Sequence, residues 1–189
     1  EMGKAGANEG DDLSSLPDSA TATFSYDPFQ WQTDQKPAVS TARARETHGD
    51  VNTRWLEQRR YTDGLGREIM SKVQAESGDA PKRDAHGLVY SGGGLVIEHT
   101  DTRWVGTGRT VYDNKGEPIK QYEPFFSSTA DYEPEDEVAV CGVTSVVFRD
   151  PVGRVVRVEG PDGTASKVVF DAWKKASYDA GDLVTESAW

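Results

Sequence analysis

The chain has 189 residues, and its 21 Lys and Arg against 32 Asp and Glu give a net charge of −11. That charge opposes binding to phosphate backbones and anionic lipid, so nucleic acid is not an expected partner. Its one cysteine, Cys141, excludes an internal disulfide and any multi-cysteine metal site. With 19 Val against 7 Leu and 3 Ile, and 10% aromatics, the composition suits pleated, half-buried surfaces. The expected fold class is therefore all-β.

Residues 1–20 are rich in Gly, Ser, Asp and Ala with few large apolar side chains, which predicts a flexible linker or arm. From Thr21 onward, short β-prone runs alternate with turn residues. Strands are predicted at 21–26, 39–45, 55–61, 67–74, 95–100, 102–112, 119–122, 143–148, 154–159, 166–170 and 183–187, so that 21–189 forms one β region. No stretch is long and helix-periodic, and the longest mainly apolar one, 138–148, is too short to span a membrane as a helix. Glu123, Asp131, Glu133, Glu135, Asp136 and Glu137, with Pro124 and Pro134, predict a solvated acidic loop near 123–138. The polar opening at Glu1 and the strand-like run before Trp189 give both ends the look of cuts in a longer chain.

One local pattern recurs: an aromatic or basic residue, Asp, two or three spacers, Gly, and a returning strand. It occurs as Tyr61-Thr62-Asp63-Gly64-Leu65-Gly66-Arg67, Arg83-Asp84-Ala85-His86-Gly87, Tyr112-Asp113-Asn114-Lys115-Gly116 and Arg149-Asp150-Pro151-Val152-Gly153-Arg154. Tyr178-Asp179-Ala180-Gly181 is a degraded copy, and Tyr26-Asp27-Pro28 lacks the glycine. The chemistry is that of a tight hairpin, in which the Asp carboxylate accepts backbone N–H groups and Gly takes a positive φ. Asp63, Gly66, Asp84, Gly87, Asp113, Gly116, Asp150 and Gly153 are thus the expected structural turn residues. Their uneven spacing argues against a regular solenoid and for hairpins with insertions, in a sheet where each turn protects the previous edge.

These units resemble the YD repeats of the Rhs family. The run Asp101-Thr102-Arg103-Trp104-Val105-Gly106-Thr107-Gly108-Arg109-Thr110-Val111-Tyr112-Asp113-Asn114-Lys115-Gly116 and the run Gln121-Tyr122-Glu123-Pro124-Phe125-Phe126-Ser127-Ser128 look similar to a segment of the B components of Tc insecticidal toxin complexes. Arg45-Glu46-Thr47-His48-Gly49-Asp50 and the Tyr61 to Arg67 unit look similar too, so the resemblance covers roughly residues 20–189. It implies a length of wall in a wound, hollow β-sheet shell that holds a cytotoxic cargo. The implied partners are the remainder of that shell and A and C component-like proteins of a secreted bacterial toxin complex. Self-cleavage in that family belongs to a plug region that nothing here matches, so no catalytic residue is carried over.

Readings that would carry other chemistry are weaker. Gly92-Gly93-Gly94 and Gly106-Thr107-Gly108-Arg109 lack the Gly-Lys-Ser/Thr ending of a phosphate loop. His48, His86 and His99 are too scattered for a metal pair, no motif frames Cys141 as a nucleophile, and 131–137 lacks the spacing of a calcium loop. No cofactor, no metal and no catalysis are expected. Trp31, Trp55, Trp104 and Trp173 are expected to pack a sheet core. The rival, an extracellular YD-repeat adhesion or glycan- or receptor-binding module, would instead expose them for stacking.

Overall fold

The computed structural model describes residues 20–47, 50 and 52–185. The expected arm falls outside these residues except for Ala20, and so does His48. The elements are β1 (Ala22–Asp27), α1 (Gln30–Asp34), β2 (Ala38–Arg45), β3 (Trp55–Thr62), β4 (Glu68–Gln74), β5 (Gly78–Pro81), β6 (Arg83–Asp84), β7 (Gly87–Leu88), β8 (Tyr90–Ser91), β9 (Gly94–Leu95) and β10 (Ile97–Thr100). They continue with β11 (Trp104–Thr107), β12 (Thr110–Tyr112), β13 (Pro118–Gln121), β14 (Phe125–Ser127), α2 (Glu135–Cys141), β15 (Val146–Arg149), β16 (Val155–Glu159), β17 (Ala165–Phe170) and β18 (Lys175–Tyr178). The fold is all-β, with two short helices.

The chain divides into two compact units, the first running to Gly106 and taking in Phe126–Glu133, the second made of Thr107–Phe125 and the chain from Pro134. In the first, a six-stranded sheet has the order β1-β2-β3-β4-β11-β14. Its first four strands pair antiparallel, with Thr41 opposite Arg59 and Arg59 opposite Lys72. Side chains alternate between the faces of a strand. Tyr61, Met70, Lys72 and Glu57 are all buried, whereas Phe24, Tyr26, Leu56 and Val73, on the opposite face, are exposed. At β3 and β4 the covered face therefore carries charge, Glu57 and Lys72, beside Tyr61 and Met70.

Between β4 and β11 the chain builds three small hairpins, β6 with β7, β8 with β9, and β5 with β10. They meet where Lys82 N–H donates to Val96 O at 2.8 Å, Val89 N–H to Lys82 O at 3.0 Å and Val96 N–H to Val89 O at 3.0 Å. This closed ring of backbone bonds satisfies the N–H and the C=O of all three residues, six groups that lie between the short strands.

In the second unit the sheet order is β12-β13-β15-β16-β17-β18. Regular pairing links β15 through β18, but β13 meets β15 at the single register pair Lys120 with Val146. The expected strand 102–112 is broken in two because Gly108 takes φ +66°. At 183–185 the chain turns rather than running as a strand.

The stretch 123–138 differs from a solvated acidic loop. It contains β14, the buried Glu133, and the start of α2, whose Val138 is buried. Glu135, Asp136 and Glu137 occupy the first turn of α2, where negative charge complements the exposed N–H groups of a helix start.

Candidate functional site

Three of the four expected turns fold alike, each a type I turn followed by a glycine in the left-handed region, the three-residue hairpin loop with a bulge. At Asp63, the backbone N–H donates to Arg67 O at 3.0 Å and Gly66 N–H donates to Asp63 O at 2.9 Å. At Asp113 the matching bonds run to Glu117 O at 2.9 Å and from Gly116 at 3.0 Å, and at Asp150 to Arg154 O and from Gly153, both at 2.9 Å. The φ angles are +79° at Gly66, +83° at Gly116 and +88° at Gly153. In each hairpin the strand register shifts just before the Asp, at Tyr61/Thr62, Val111/Tyr112 and Phe148/Arg149.

The carboxylate locks each loop from inside. Asp63 Oδ1 accepts Leu65 N–H at 2.9 Å and Arg67 N–H at 3.0 Å. Asp113 Oδ1 accepts Lys115 and Glu117 N–H, both at 2.9 Å, and Asp150 Oδ1 accepts Val152 at 3.0 Å and Arg154 at 2.9 Å. Burial raises the pKa of Asp63, but the backbone and guanidinium of Arg67 outweigh it and hold the group below the usual carboxylate value. The Arg154 side chain and backbone do the same for Asp150 against a desolvation effect, and the Glu117 N–H lowers Asp113.

The Asp84 and Gly87 turn is of another kind. Asp84 pairs with Gly87 across a two-residue loop, Asp84 Oδ1 accepts His86 N–H at 2.7 Å, and Gly87 has φ +108°. A further bulged turn at 160–164 was not read from the sequence. Gly160 N–H donates to Thr164 O at 2.8 Å, Gly163 has φ +80°, and Asp162 Oδ1 accepts from Thr164. Its signal, Asp162-Gly163, was present, but Gly160 stands where the pattern has Asp.

The second constellation is buried charge in the first unit. Lys72 on β4 is 0% exposed and Glu133 is 3% exposed. The Lys72 ammonium donates to the Glu133 carboxylate and, at 3.1 Å, to Thr129 O. Arg83 and the Ser127 hydroxyl donate to the other Glu133 oxygen. Beside them, Tyr61 Oη donates to Ala130 O at 2.7 Å, Arg59 pairs with Asp131 at 3.1 Å, and the Tyr61 and Tyr132 rings lie 5.6 Å apart. Burial pulls Lys72 below its ordinary value against the attraction of Glu133, and pushes the Tyr61 hydroxyl up to about 12 against Arg59. Sequence reading missed this cluster because Lys72 and Glu133 come from distant segments and each alone looks like a surface charge.

The remaining candidates stay apart. His99 Nδ1 lies 3.6 Å from Asp79, both groups exposed, and Cys141 is half-buried on α2. Among the described residues no cluster of three or more His, Cys, Asp or Glu could hold a metal, and no helix is long and apolar enough to cross a membrane. Trp104 is buried as expected of a core residue, but Trp31 on α1 and Trp173 in a turn are 65% and 93% exposed and pack no sheet core. Both lie outside strands, so alternation does not turn them inward.

No family model and no curated protein matches the chain. Solved structures do. The crystal structure of TcdB2-TccC3 is similar over 96% of this chain, with 27% identity and a TM-score of 0.74. That of TcdB2-TccC3-Cdc42 is similar over 80%, with 28% identity and a TM-score of 0.66, and that of a Photorhabdus luminescens Tc holotoxin pore over 83%, with 26% identity and a TM-score of 0.65. The chain spans 9%, 7% and 8% of those chains, respectively. Over nearly its whole length, then, this chain is similar to a short stretch of Tc toxin B–C component structures.

Proposed function

We propose that the chain is a non-catalytic length of wall in an Rhs/YD-repeat shell of the Tc B component type, which encloses a cytotoxic cargo for delivery. The observation that carries this reading is the agreement of two independent features. One is the similarity to TcdB2-TccC3 over 96% of the chain. The other is the repetition of one Asp-and-Gly bulged turn at Asp63, Asp113 and Asp150. Open sheets joined by such turns, with exposed apolar side chains such as Phe24, Tyr26, Phe148 and Val169, suit a wall whose strands continue into neighbours.

In this role the turn residues act structurally, and the partners are the rest of the shell with A and C component-like proteins in a secreted complex. The test is protection of cargo. The full-length protein is co-expressed with a Tc C component-like chain, purified as a complex and treated with protease. The reading expects the C-terminal segment of the C-like chain to survive at protease levels that digest the same segment alone. Equal digestion of both would overturn it.

A further inference from the structure

We propose that Lys72 and Arg83 form a carboxylate-receiving cradle, occupied in cis by Glu133, that latches the Phe126–Glu133 segment onto the first sheet. The inference does not depend on the shell role. It starts from the chain path, in which Phe126–Glu133 belongs to the first unit while the residues on either side of it belong to the second. Regular structure within the segment ends at Ser127.

Its attachment is polar. Ser127 and Glu133, near its two ends, are its buried residues, and Phe126 is 48% exposed. The half-buried Tyr132 adds a ring contact with Tyr61, and the rest of the attachment is by polar groups. Beneath it, two cations from different elements, Lys72 of β4 and Arg83 of β6, converge on one carboxylate. Each takes its own oxygen, and the Ser127 hydroxyl shares the one that Arg83 uses.

A carboxylate in this place is a requirement of the site. A charged group removed from water needs an opposite charge and filled hydrogen bonds. Lys72 can shed its proton to escape an empty cradle, but a guanidinium cannot. Nearby, Arg59 bridges Glu57 and Asp131 and Arg43 also pairs with Glu57, while Asp131 adds an attraction for Lys72. Glu133 is thus the tethered ligand of a preformed anion site, and any small carboxylate of similar shape fits the cradle once Glu133 is gone.

The test uses the full-length protein and hydrogen–deuterium exchange of the peptide spanning Phe126–Glu133. In Glu133→Gln, which keeps the shape but not the charge, exchange in this peptide should rise by at least about tenfold while β2 and β3 stay protected. In Glu133→Ala, formate should restore protection saturably where equal chloride does not, and the double variant Lys72→Met, Glu133→Ala should gain nothing from formate. Wild-type exchange in Glu133→Gln, or equal formate protection of the double variant, would overturn the proposal. Should Glu133→Ala fail to fold, Arg83→Met is the judge, since it removes the second cation and leaves Glu133 in place: exchange of the Phe126–Glu133 peptide should rise severalfold as in Glu133→Gln, and wild-type exchange in it would overturn the proposal.

Discussion

The Arg154 guanidinium closes back across its turn onto Asp150, with Nε 2.7 Å from Oδ2, and Arg67 makes the same bond to Asp63 at the same distance. In both loops one carboxylate therefore binds its own backbone through Oδ1 and the returning strand's side chain through Oδ2. The glycine between them has to stand at positive φ for the Arg to arrive there. Gly116→Val and Gly153→Val should each destabilise the full-length protein by about 1 kcal/mol or more. Gly64→Ala, at an open position without a positive φ, should be near neutral. Denaturant midpoints of the three variants check this.

The turn carboxylates also set a response to acid. Asp63, Asp113 and Asp150 all have pKa values lowered below the ordinary 3.8 in the folded chain. A lowered folded value means that the folded state binds fewer protons, so the contribution is present above pH 3.8 and is lost as pH falls through the folded values. Replacing all three with Asn should flatten the fall in stability below that pH. Unchanged acid titration curves in thermal unfolding would contradict the assignment.

Much of this was legible in the sequence because the turn chemistry is local. An Asp and a Gly three residues apart carry the whole bulged loop, and the β-prone run 55–61 with the Asp63 turn after it places β3 to within one residue. Of the small hairpins between β5 and β10, the β6–β7 turn was legible in Asp84 and Gly87, but β8 with β9 was not, since strands of two residues have no periodicity, and the junction at Lys82, Val89 and Val96 is purely backbone. The burial of Glu133 depends on Lys72 and Arg83, partners remote in the chain. The same holds for Glu135, an expected solvated acid that accepts from Lys120 and, at 3.4 Å, from Tyr122 Oη.

Tyr61 gives an alkaline counterpart. Its hydroxyl is held up to about 12 in the folded chain against an ordinary 10.0. A raised folded value means stability that is complete below pH 10 and is lost as pH rises toward 12. Tyr61→Phe removes both this slope and the hydrogen bond to Ala130 O. The variant should be less stable at neutral pH by about 1 kcal/mol, and its stability should fall less than that of the wild type between pH 10 and 12. Parallel curves for the two proteins in urea unfolding would contradict it.

The isolated 189-residue chain should be β-rich but prone to associate. Among the described residues, β1 and β18 are edge strands with a neighbour on one side only, and Tyr26 and Tyr178 on them are exposed. Sedimentation velocity should show concentration-dependent species, and thermal unfolding should be broad. A soluble monomer with a sharp, reversible transition would identify an independent module and favour the adhesion reading.

The most direct test of the central claim is a cryo-EM structure of the full-length protein. The account predicts that residues 22–178 lie in the wall of a hollow β-sheet shell, with β1 and β18 hydrogen-bonded to strands from elsewhere in that protein and the turns at Asp63, Asp113 and Asp150 intact. A structure in which these residues form a separate domain, with both edge strands facing solvent and no enclosed cavity, would contradict it.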